Sequence, residues 1–104
     1  MINDTKLMGK IESIGEPKTY NGKDYVKAIL RHEKTYKDTT YIDLMPIGLS
    51  GNDVLTIQSL GVGAFILVVG YLSGKEYKDK ETNEMKRFPM ELSVNQIFEL
   101  PEPF

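Results

Sequence analysis

Aromatic and basic side chains stand side by side at three places in this chain. Tyr36 lies between Lys34 and Lys37, Tyr77 between Lys75 and Lys78, and Phe88 directly after Lys86 and Arg87. A flat ring next to a cation can stack on one group of a ligand and neutralise an anionic group beside it. Bases and phosphates alternate in this way along a single nucleic-acid strand. Trp is absent, so any stacking falls to Tyr or Phe. Arg31, Lys34, Lys37, Lys75, Lys78, Lys86 and Arg87 are the candidate phosphate contacts. No such grouping supports catalysis, and an enzyme is not expected. The carboxylates are scattered over turns and strands, and the single histidine, His32, has no nucleophile or acid clustered about it, so it reads as a surface or hairpin residue. With no cysteine there is no thiolate nucleophile, disulfide or sulfur-ligated metal. No cofactor or metal is expected, and Gly61, Gly63 and Gly70 lack phosphate-loop spacing.

Such rings need a scaffold, and the chain reads as strands punctuated by turns. Leu7–Ile14 predicts a first strand, ended by Gly15 and Pro17. Asn21-Gly22 is a strong hairpin signal, because both residues tolerate positive φ. Tyr25–Arg31 follows as a second strand, a turn at 37–39, and Thr40–Ile47 as a third, with Pro46 suggesting an edge or strand end. Ser50–Asp53 offers helix N-caps, Val54 and Ile57 fit a short helix, and Leu60-Gly61 closes it. Ala64–Val69 is apolar on both faces and continues as Tyr71-Leu72, with bends expected at Gly70 and Gly74. A polar turn at 78–84 precedes the last strand, Phe88–Phe98, while the prolines in Leu100–Phe104 exclude a sheet strand there. Phe65 and Phe98 are expected in the core, and Tyr20, Tyr25 and Tyr71 in structural roles. In a chain of 104 residues this makes one domain. Propensity alone leaves several five-stranded folds open; the element order with bent glycine-containing strands suggests an all-β class, a five-stranded OB-fold barrel with one short helix between strands 3 and 4.

The formal net charge of −2 argues against a polyanionic ligand only at face value. Residues 91–104 hold Glu91, Glu99 and Glu102 and no cation, which leaves 13 basic against 12 acidic side chains elsewhere. Residues 41–74 contain only Asp43 and Asp53 as charges. The cations therefore gather between the first two strands and in the two hairpins that carry Tyr36 and Tyr77. The expected groove is weakly basic, with stacking supplying much of the binding. The longest apolar run is far short of the ~20 residues a spanning helix needs, and the N-terminus lacks a signal-peptide apolar stretch. No membrane partner is expected, and the expected compartment is the cytoplasm.

Over nearly its whole length the sequence resembles the bacterial and phage single-stranded DNA-binding protein family. The resemblance runs through Met1-Ile2-Asn3 and Leu7–Ile11, Gly15-Glu16-Pro17 with Tyr20-Asn21-Gly22, Tyr41-Ile42-Asp43, Leu60–Gly63, Ile66–Leu72 and Arg87–Leu92. It implies sequence-independent binding of single-stranded DNA in support of replication, recombination or repair. It also implies homotetramers or dimers, and a host-cytoplasm setting if the chain is phage-encoded. Tyr77 falls where a stacking aromatic follows the Gly70-Tyr71-Leu72 signature, Tyr41 where one opens the third strand, and Tyr36 close to a third. Phe88 completes the stacking candidates. A fourth family aromatic, six residues after Tyr41, is replaced by Ile47, and Asp43 puts an acid on the same side as Tyr41. Residues 1–100 form the expected binding domain and 101–104 a short tail. There Glu102, Pro103 and Phe104 resemble the partner-recruiting tip of the family, without its long acidic linker. The alternative is an OB-fold protein-interaction module with little or no DNA binding.

Overall fold

A computed structural model describes residues 4–101, with 75, 77, 86, 88 and 89 described by backbone alone. Its elements in chain order are β1 (Thr5–Ile14), β2 (Lys18–Tyr20), β3 (Lys23–Tyr36), β4 (Thr39–Ser50), α1 (Asn52–Leu60), β5 (Phe65–Lys78) and β6 (Met85–Glu99). The five expected strands are all present, and Lys18–Tyr20 adds a short one. The helix, expected between strands 3 and 4, therefore follows the fourth strand. Its place in the chain is unchanged. The extra strand arises because Asn21 and Gly22, at φ 51° and 76°, fold the three preceding residues back onto Lys23–Tyr25.

The wall closes because β1 changes partner along its length. Thr5–Lys10 pairs with β5, and Lys10–Ile14 pairs with β3 across an irregularity between Ile11 and Ser13. Around the barrel the order is β1, β3, β4, β6, β5 and back to β1. β4 and β6 run parallel while the other neighbours are antiparallel. This is the OB topology. Pro46 lies inside β4, paired with Ile29, rather than at a strand end. It is tolerated because β6 joins β4 only at Ile47 and Gly48, so the second edge of β4 is still open at the proline.

Alternate residues of each strand fill the barrel: Val26, Ala28 and Leu30 of β3, Ile47 and Leu49 of β4, Ile66 and Val68 of β5, Leu92 and Val94 of β6. Each large aliphatic removed from water contributes about 1.5–3 kcal/mol. Gly51 is the N-cap of α1 and makes no side-chain cap bond; Gly61 closes the helix, donating its N–H to the Ile57 carbonyl at 3.0 Å. Val54 and Ile57 of α1 join the core. Phe65 and Phe98 do not: Phe65 is half-buried and Phe98 exposed. Val68 and its partner Ile97 face the core, so Phe98 and its partner Leu67, one residue along, face outward. The β5–β6 ladder is irregular between Val69 and Gly70 and again between Ser73 and Lys75, close to both expected bends. A Cβ on Gly70 would stand 1.9 Å from the Ser93 carbonyl oxygen, so the strands can approach there only at glycine.

Candidate nucleic-acid interface

Beyond the barrel, β3–β4 and β5–β6 continue as two hairpin arms. Because β4 and β6 are parallel and meet at Ile47–Leu92, the N-terminal parts of both strands leave the barrel at the same end. Thr39 is eight residues before Ile47, a reach of about 26 Å at ~3.3 Å per residue. The first arm turns at Lys37 and Asp38, both left-handed at φ 50° and 63°, which sets Tyr36 opposite Thr39 and Lys34 opposite Tyr41. In the second arm Asp79 organises the tip. Its carboxylate accepts the backbone N–H of Glu81 at 2.8 Å and of Thr82 at 3.3 Å, and its own N–H donates to the Glu84 carbonyl at 2.8 Å. This sets Tyr77 in register with Lys86 and Lys75 with Phe88. The fold thus divides the expected stacking residues into two sets, Tyr36 and Tyr41 on one arm and Tyr77 and Phe88 on the other.

Tyr36 and Tyr41 are exposed, and by strand alternation they share the side of Leu30 and Met45, which faces the core lower down. Lys37 Nζ stands 5.3 Å from the centre of the Tyr36 ring, within cation–π range. Other cations meet carboxylates. Lys34 Nζ lies 3.6 Å from Asp43, and Arg87 Nε 3.7 Å from Glu76. Arg31 donates from Nε to Glu33 at 2.8 Å and from Nη1 to Glu12 at 3.4 Å. The hydrogen bond to Glu33 is the main cause of a raised Arg31 pKa; desolvation opposes it, and the charges of Glu12 and Glu33 add to it. Arg31 is thus tied to two acids, Glu12 on β1 and Glu33 on its own strand. Lys78 is exposed near the second tip. Ile47 is fully buried and offers no fourth platform. Glu102, Pro103 and Phe104 lie outside the described residues. Among the described residues no His, Asp and Glu cluster could hold a metal ion, and no helix is long and apolar enough to cross a membrane.

A second surface has the same chemistry. On the outer barrel wall a groove of about 560 Å³ runs from Tyr25 on β3 to Tyr71 on β5. Tyr25 and Tyr71 are 42% and 44% exposed, close to Tyr41 at 48%, so exposure does not separate them from the expected stacking set. Lys23 and Lys27 line the groove, and Lys23 Nζ lies 5.9 Å from the Tyr25 ring centre. Tyr20, also exposed, meets Tyr25 edge to face with ring centres 6.1 Å apart. Sequence reasoning set these three tyrosines aside as structural. The available signal was Lys18, Lys23 and Lys27 interleaved with Tyr20 and Tyr25, the same pattern that singled out Tyr36.

The closed barrel and its strand order place the chain in the OB-fold class. Two solved structures share the fold over almost their full length. A Plasmodium falciparum SSB in complex with ssDNA superposes with a TM-score of 0.72 at 18% identity, covering 97% of this chain and 96% of that one. The protein priB from Ralstonia solanacearum superposes with a TM-score of 0.71 at 11% identity, covering 96% and 100%. No protein-family model and no curated protein sequence matches.

Proposed function

We propose that the protein is a non-enzymatic binder of single-stranded DNA, largely indifferent to sequence, that protects or presents strands during replication or recombination. The observation that carries this reading is the pair of arms leaving one end of the barrel, each with aromatic residues and cations in register: Tyr41 with Lys34 on one, Tyr77 with Lys86 and Phe88 with Lys75 on the other. Stacking supplies about 1–3 kcal/mol per base, and lysines neutralise phosphates beside the rings. The Plasmodium SSB of the same fold was solved with ssDNA bound, which supports the same ligand here. Titration of a labelled oligo-dT at rising salt tests it. Affinity falls steadily with salt if the reading holds, and absence of binding at low salt rejects it.

The OB domain is assigned to 1–100 and the tail to 101–104. Assembly as a dimer or tetramer is favoured by the backbone edge of Thr5–Gly9, which pairs with β5 while β3 joins only from Lys10. Light scattering measures the stoichiometry. Glu102-Pro103-Phe104 is read as a hook for replication or recombination proteins, and deleting Pro103 and Phe104 then removes a partner while DNA affinity persists. The acids paired with Arg31, Lys34 and Arg87 favour a second reading, a protein-interaction module. It predicts a folded oligomer without oligonucleotide affinity.

A further inference from the structure

Glu91 is misplaced for a surface that only holds phosphates. It lines the outer-wall groove between Tyr25 and Tyr71, half-buried, and its carboxylate lies across Gly48 of the neighbouring strand. A Cβ on residue 48 would meet Glu91 Oε1 at 2.7 Å, so glycine leaves the space that the carboxylate occupies. The hydroxyls beside it are engaged with each other, Ser73 Oγ and Ser93 Oγ being 3.0 Å apart. Among the described residues none forms a hydrogen bond or ion pair with the Glu91 carboxylate.

The groove is wide enough for bases to lie on this floor. From β3 to β5 there are three strand spacings, about 14 Å at ~4.8 Å each. Lys23 and Lys27 stand on the β3 side, where phosphates are neutralised, and Glu91 comes from the far side. A carboxylate there accepts hydrogen bonds and cannot donate them. Base edges differ in what they offer it. Guanine presents two adjacent donors, N1–H and the N2 amino group, which match both carboxylate oxygens. Cytosine and adenine present an amino group next to an acceptor nitrogen. Thymine presents one N–H between two carbonyls that repel the carboxylate.

We propose that Glu91 makes this groove a guanine-preferring subsite for single-stranded DNA. The proposal rests on the single-strand reading above and adds a local bias to otherwise sequence-tolerant binding. One well-placed bidentate base contact gives roughly tenfold discrimination. The test measures anisotropy at low salt with three labelled 12-nucleotide strands: oligo-dT, the same strand with one central dG, and the same strand with central deoxyinosine, which lacks the N2 amino group. The expected result is about tenfold tighter binding of the dG strand, with most of that gain lost on inosine. Glu91→Gln, and independently Gly48→Ala, which displaces the carboxylate without changing charge, bring the dG to dT ratio towards one. Inosine needs no protein variant, so the comparison survives a variant that fails to fold. Equal binding of dG and dT strands by the wild-type protein overturns the proposal. So does an undiminished ratio in folded Glu91→Gln, including the case where all three strands tighten together and Glu91 merely repels DNA. Failure of all strands to bind rejects the single-strand reading itself, a different result from equal binding.

Discussion

Tyr41 on the first arm and Tyr25 on the barrel wall are exposed to a similar degree, yet they stand on opposite sides of the same β3–β4 sheet. Tyr41 continues the side that is core-facing at Met45 and Ile47, so its ring lies past the point where the barrel has anything to pack beneath it. Tyr25 lies on the solvent side, over strands backed by Val26, Leu49 and the rest of the core. A two-stranded ribbon is marginal by itself and adjusts to its ligand, whereas a close-packed wall holds its groove in one shape. On the proposed single-strand reading, the arms would grip a strand of any sequence and the wall would discriminate. Equal residue chemistry serves different tasks according to what lies underneath.

The comparison can be broken at its root. Ile47 sits fully buried where the parallel seam begins, beneath both arms. Ile47→Ala should cost about 2–5 kcal/mol in chemical denaturation, whereas Tyr41→Ala should leave stability within about 0.5 kcal/mol. A Tyr41→Ala protein that melts like the core variant would show that the arm tyrosine is structural. Next in size, Tyr41→Ala and Tyr77→Ala should each weaken oligo-dT binding by about 1–3 kcal/mol. Tyr25→Ala and Tyr71→Ala, measured on the same oligonucleotide, show how far the strand extends onto the wall; no loss would confine it to the arms. Asp43→Asn releases Lys34 from an exposed ion pair, and oligo-dT affinity should rise about two- to fivefold. The smallest effect is expected from Lys37→Ala: if Lys37 holds a phosphate as proposed, the slope of log affinity against log salt should fall by about 0.7.

Local signals were the legible ones. Asn21-Gly22 and the Lys37-Asp38 turn carry their geometry in two residues, and alternation marks Val26, Ala28 and Leu30 as one buried side. The glycine bends were legible too, because few other reasons put Gly70 and Gly74 in so apolar a strand. What escaped reading depends on pairs far apart in the chain. The irregular register after Val69 brings Tyr71 out beside Ser93, and neither residue announces it. Arg31 looks like a phosphate contact until Glu12, from the neighbouring strand, reaches it. Glu91 reads as one of the acids that dilute the net charge, and only the parallel seam sets it over Gly48 in a groove.

That seam also governs when the molecule can exist. Ile47 pairs with Leu92 and Gly48 with Ser93, partners almost half the chain apart, and β6 comes after every other element of the described residues. Barrel closure consequently awaits the synthesis of β6: until that strand has left the ribosome, β4 has β3 on one side and water on the other. Closure that depends on such distant pairs is slow, in the millisecond-to-second range typical of small all-β domains. Through that interval β5 lacks its edge partner and the core lacks Leu92 and Val94, which makes the nascent chain most vulnerable to aggregation just before β6 arrives.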